Sequence, residues 1–66
     1  MKTLIYTGGE IKGYQLNIGD PVTFITQREF NEMGISVKLN ALWDLKQQNT
    51  FYITTNELID CFEVIS

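Results

Sequence analysis

Residues 35–46 read ISVKLNALWDLK, and their parity decides the fold class. Ile35, Val37, Leu39, Ala41, Trp43 and Leu45 are apolar and two apart. Ser36, Lys38, Asn40, Asp44 and Lys46 fill the alternate positions, with Leu42 the one exception. An amphipathic helix repeats its apolar residues every three or four positions, whereas a strand with one buried face repeats them every two. The segment is therefore expected to be a half-buried strand with its odd-numbered side chains toward the core, Trp43 among them. It is long for a small protein, so a bend or break is expected near Asn40.

C-terminal to it, KQQNT (46–50) is polar and turn-like. In FYITT (51–55), Phe51 and Ile53 share one side and Tyr52 and Thr54 the other, which completes a hairpin. TTNELIDCF (54–62) offers Thr55 or Asn56 as an N-cap, with Glu57 in the first turn where the helix dipole favours a carboxylate. One helical turn, of 3₁₀ type, is expected over about residues 56–60. A last strand through Phe62, Val64 and Ile65 follows. N-terminal to the central segment, QREFNEMG (27–34) has the composition of a short helix or wide loop, with Gly34 as its C-cap. PVTFIT (21–26) reads as a strand opened by Pro21, which has no N–H to offer a ladder. TLIY (3–6) is another strand, and TGGEIKGYQLNIGD (7–20) is a long irregular connection with four glycines.

At 66 residues, residues 1–66 form a single domain near the lower limit for a core that has no metal or disulfide. Most of the 44% of hydrophobic residues must then be buried. Cys61 is the sole cysteine and histidine is absent, so neither a disulfide nor a zinc site can be built. Residues 1–6 hold one Lys and a short apolar run, far less than a signal-peptide core or a membrane span needs. A soluble cytoplasmic protein without membrane contact is expected.

The net charge of −3 is unevenly placed. Acids and bases cancel through residue 50, and the excess is Glu57, Asp60 and Glu63, with no base after Lys46. A pI near 4.6 runs against the basic face by which nucleic-acid binders engage phosphates.

Five short strands, a long loop after the first and one helical turn before the last make a small, all-β, strongly bent barrel. In this order the chain resembles the SH3-like barrels. TLIYTG stands as the first strand, residues 8–17 as the long RT loop, and LNIGDPVTFI (16–25) as the diverging turn and second strand. REFNEMG stands as the n-Src loop, and ALWDLKQQNTFYITTNEL as the distal hairpin running into the 3₁₀ turn. The resemblance implies that Gly19 and Asp20 are turn residues serving the fold. Thr54 and Glu57 stand where signalling SH3 domains have the Pro and Tyr of their peptide groove, so it does not imply proline-rich-peptide binding. In size and strand order the chain is more similar to the small SH3-like proteins of bacterial and bacteriophage genomes.

Catalytic parts are missing: Ser36, Ser66 and Cys61 have no imidazole to activate them. Cys61 reads as a small core filler. TGGEIKG lacks the spacing of a phosphate-binding loop, and the three acids lack the Gly-bearing loop of a calcium site, so no cofactor or metal is expected. Phe24, Trp43, Phe51 and Phe62 are expected in the core. Tyr14 in the long loop, Phe30 in the second loop and Tyr52 on the outer side of the hairpin are expected to be exposed, with Tyr14 and Phe30 sharing a contact patch. Together with an acidic rim of Glu57, Asp60 and Glu63, they make up the candidate partner-binding residues. The function expected is that of a non-enzymatic protein-interaction module, a small regulator or inhibitor of a host protein encoded by a phage or other mobile element. The alternatives are a nucleic-acid-associated module, using Lys2, Lys12, Arg28, Lys38 and Lys46 with Tyr14 or Tyr52 as stacking platforms, and an accessory or self-associating structural domain.

Overall fold

The glycine-rich connection and the hairpin turns divide the chain into six elements, seen in a computed structural model that describes residues 2–65. They are β1 (Thr3–Tyr6), β2 (Pro21–Glu32), β3 (Ile35–Asp44), β4 (Asn49–Ile53), α1 (Thr55–Cys61) and β5 (Phe62–Val64). The strands form one antiparallel sheet in the order β4-β3-β2-β1-β5. It is not closed into a barrel, which corrects the closed form expected above. β4 and β5 are the two edges of the sheet, and no ladder joins them.

The core is a single cluster built on Leu4, Tyr6, Val22, Leu42, Phe51, Ile53, Cys61 and Phe62, with Ile11 contributed by the long loop. Val22 and Leu42 are wholly buried. Leu42, the apolar residue that breaks the alternation, lies between Phe24 and Phe51 in the register. The core face of β3 is therefore the even-numbered one, and the odd-numbered stripe from Ile35 to Trp43 lies on the opposite face. Trp43 is half-buried and stands outside the core cluster, between Thr23 and Thr50. Period-two alternation identifies two faces but does not say which one meets the rest of the chain. Phe51 and Phe62 are core residues as expected, and Phe24 packs against the cluster partly buried.

The strand irregularity falls in β2 rather than at Asn40. Phe24 pairs with Leu42 but Thr26 pairs with Ala41, so Ile25 is an extra residue on β2. Such a bulge exchanges the faces to which successive side chains point. Val22 and Phe24 face the core before it, whereas Gln27, Glu29 and Asn31 take that side after it.

The loop of residues 7–20 folds back over the core face. Its ends are tied by Gly19 N–H to the Tyr6 carbonyl (2.7 Å), Tyr6 N–H to the Asp20 carbonyl (3.0 Å) and Thr7 N–H to the Cys61 carbonyl (2.8 Å). Gly19 has φ +94°, a left-handed conformation that favours glycine. Buried Asp20 closes the turn by accepting the Asn17 N–H at 2.9 Å, and it meets Lys46 Nζ at 3.3 Å. That amide bond and the ammonium hold its carboxyl below the usual carboxylate range. Gly9 passes so close to the core that an added Cβ would lie 2.8 Å from Cys61 Sγ. Cys61 is a buried filler as expected, and burial pushes its thiol pKa up, with help from the charges of Asp60 and Glu57.

The turn expected over 56–60 is a full α-helix, α1, and its N-cap is Thr54 rather than Thr55 or Asn56. Glu57 N–H donates to Thr54 Oγ1 (3.2 Å), and Thr54 N–H donates to Glu57 Oε1 (2.9 Å). This reciprocal box satisfies two amides at the start of a short helix. Among the described residues no helix is long and apolar enough to cross a membrane.

Candidate functional site

Residues 27–34, expected as a short helix or wide loop, are strand and turn. β2 continues to Glu32, β3 begins at Ile35, and Glu32 pairs with Ile35 across the two-residue turn Met33-Gly34. Both turn residues have positive φ, +52° and +79°, as the tight hairpin turn that matches strand twist requires. Gly34 therefore serves a hairpin, not a helix C-cap.

β1 pairs with β2 only through Thr23, and β4 pairs with β3 only from Asn40 onward. Residues 26–32 and 35–39 thus run on beyond their neighbours as a two-stranded ribbon. A β2 of 12 residues at about 3.3 Å per residue accounts for the 37 Å long dimension of the molecule.

The ribbon has two unlike faces. On the face continuous with the core side, Glu29 lies opposite Lys38, and Ser36 Oγ donates to the Glu29 carboxylate. On the outer face, Phe30 lies opposite Val37, Arg28 opposite Leu39 and Glu32 opposite Ile35. This outer face continues onto the body of the sheet through Ala41 and Tyr52. The rings of Phe30 and Tyr52 meet edge to face, 5.4 Å between centroids and 84° between planes. Ile35 is 65% exposed and Met33, at the tip, 97%. Phe30, Val37 and Tyr52 are also exposed. A contiguous apolar face of this kind is the surface feature that most often marks an interaction site.

Phe30 and Tyr52, two residues anticipated from the sequence, are thus brought together. Tyr14 is not with them, which corrects the patch expected between Tyr14 and Phe30. Its ring stacks on Phe51, centroids 4.2 Å apart and planes within 5°, on the core side of the sheet. Its hydroxyl donates to Asp44 Oδ2 at 2.6 Å. The loop aromatic was drawn inward because Asp44, wholly buried, supplies an acceptor there. Glu57 is half-buried in the capping box, and its second carboxylate oxygen accepts the Lys12 N–H at 3.1 Å. Those bonds hold its carboxyl below its ordinary range. Asp60 and Glu63 are exposed, Glu63 opposite Ile5 in the β1–β5 pairing. Among the described residues no three His, Cys, Asp or Glu side chains gather in a metal-holding group.

Val37, Ile35 and Met33 belong to the site, although parity alone places Ile35 and Val37 on the core face and composition places Met33 in a loop. The signals that could have found them are Leu42, apolar on the polar parity, and a Met-Gly pair directly before a strongly alternating run.

Burial, with the hydrogen bond to Asp44 and the charge of that carboxylate, raises the Tyr14 pKa from 10.0 to about 12. A phenol whose pKa is higher in the folded than in the unfolded state contributes stability that is complete below pH 10. That contribution is lost as pH rises through about 12. Urea midpoints at pH 9, 11 and 12 should therefore fall more steeply for the parent than for Tyr14→Phe. Parallel curves would show that Tyr14 does not hold its proton against Asp44.

Compared with known proteins, the chain matches no family model, no curated protein and no solved structure.

Proposed function

We propose that the chain is a non-enzymatic protein-interaction module that meets its partner through the outer face of the β2–β3 ribbon. The observation that carries this is Met33. It is a large apolar side chain, 97% exposed, in a backbone conformation that L-residues rarely adopt. A turn residue chosen for stability here would be Asn, Asp or Gly. Strain retained at an exposed apolar tip, beside the contiguous face of Ile35, Val37, Phe30 and Tyr52, favours selection for contact over selection for stability. Arg28 and Lys38 are balanced by Glu29 and Glu32, so the ribbon offers no cationic track for a phosphate backbone, which favours protein over nucleic acid. A small regulator or inhibitor that acts by occupying a surface needs no more than this.

The strand order, the long connection between β1 and β2 and the helix before β5 support an SH3-like arrangement, opened between β4 and β5 and drawn out at the n-Src position into the ribbon.

The two faces of the ribbon supply their own control. A photoreactive benzoylphenylalanine in place of Val37 points outward, and in place of Lys38 it points to the polar side. Irradiation in a lysate of the source cells is expected to yield protein adducts from position 37 and few or none from position 38. Equal yields from both positions, or none from position 37, would overturn the proposal.

A further inference from the structure

We infer that the partner of the outer face is a second copy of the same chain, packed face to face and antiparallel across the ribbon. This rests on the reading of that face as an interaction surface and names its occupant. Along β2 the outer face presents Arg28, Phe30 and Glu32 in turn, two residues apart. The pattern is positive, aromatic, negative, and it is its own complement when reversed about Phe30.

Consider a two-fold axis lying across the strands at the Phe30–Val37 pair. It sets Arg28 of each copy over Glu32 of the other, and Phe30 and Val37 over their own equivalents. Leu39, which pairs with Arg28, then meets Ile35, which pairs with Glu32. Self-complementarity of this kind is what a two-fold interface requires, because each contact must occur twice. Two sheets packed in this way interleave the side chains of their facing surfaces with strand directions roughly aligned.

The tip fits the same arrangement. Met33 lies three residues beyond Phe30, and Thr26, which pairs with Ala41, lies four residues before it. Reversal about Phe30 carries Met33 of one copy to within one residue of the row of Thr26, Ala41 and Tyr52 of the other, which brings its flexible thioether near an exposed ring. The charge of the chain permits the approach. The ribbon itself is neutral, and the excess acids Glu57, Asp60 and Glu63 belong to α1 and β5. Two molecules that each carry −3 therefore bring neutral surfaces together.

The test is sedimentation equilibrium of the purified chain from about 1 µM to about 1 mM, run on the parent and on charge-exchanged variants. The parent is expected to show a monomer–dimer equilibrium that weakens as salt rises. Arg28→Glu or Glu32→Arg alone opposes like charges at both symmetric contacts. Each should raise the dimer dissociation constant about tenfold or more. The double variant Arg28→Glu, Glu32→Arg restores the pairing and should return most of the affinity. Lys38→Glu, on the polar face, should leave the dimer unchanged. Met33→Asn relieves the positive-φ strain, so it should raise the melting temperature while weakening the dimer, an outcome that loss of folding cannot imitate. A monomer throughout the range, a double variant no better than the single ones, or a Lys38→Glu effect as large as theirs would each overturn the self-pairing. If the chain is monomeric but position 37 still yields adducts with another protein, the interaction module stands and only the second copy is wrong. If position 37 yields none, both fall.

Discussion

Asp44→Ala should remove about 3–5 kcal/mol, a large share of the stability of a chain this small. Asp44 is 0% exposed, near the end of β3, between Val22 and Asn49 in the sheet. One carboxylate oxygen accepts the Tyr14 hydroxyl at 2.6 Å, and the other accepts the amides of Lys46 and Gln47 at 2.9 and 3.1 Å. A single side chain thus closes the β3–β4 turn and pins the loop of residues 7–20 onto Phe51. Hydrogen bonds to a charged group contribute about 1.5–3 kcal/mol each, and donors left unpaired in a buried site add their desolvation cost. The contributions are not additive, so a loss of about 3–5 kcal/mol is expected from truncating all three. A chain of this length has a total stability of roughly 3–10 kcal/mol. Asp44→Asn keeps an acceptor for the turn amides and should lose about half as much. Circular dichroism against urea measures both. An Asp44→Ala midpoint within about 1 kcal/mol of the parent would show that the carboxylate does not anchor turn and loop.

Leu42→Ala should cost about 3–5 kcal/mol, the upper range for a leucine truncated in a core that cannot collapse around the gap. Leu42 is wholly buried, and its neighbours in the register are Phe24 and Phe51, each held by its own strand. Trp43→Ala removes a far larger side chain. It acts on the half-buried outer face, outside the core cluster, and should cost less than Leu42→Ala. Parity taken from the apolar stripe predicts the reverse order. Melting curves of the two variants therefore decide which face of β3 is the inside. A more damaging Trp43→Ala would turn the sheet over and withdraw the outer face as a contact surface.

Both outcomes turn on a distinction between pattern and placement. Local chemistry in the sequence determined much of the chain. Pro21 opens a strand because it lacks an N–H, Gly19 and Asp20 make a turn, and alternation from Ile35 onward makes β3. Polar residues after Leu45 close a hairpin, and Glu57 takes the first turn of a helix. Phe30 and Tyr52 were legible as exposed aromatics for the same local reasons. Other features depended on residues far apart in the chain. Which face of β3 is buried was set by Leu42 meeting Phe24 and Phe51 across two ladders. Tyr14 was drawn inward by a buried acceptor 30 positions away. The ribbon was hidden because Phe30 is the single apolar residue of QREFNE (27–32), so the segment has no alternation of its own and takes its strand conformation by pairing with β3. Period two is a property of a strand alone. Inside and outside, and the point at which a strand outruns its neighbours, are properties of the sheet, and only the tertiary structure decided them.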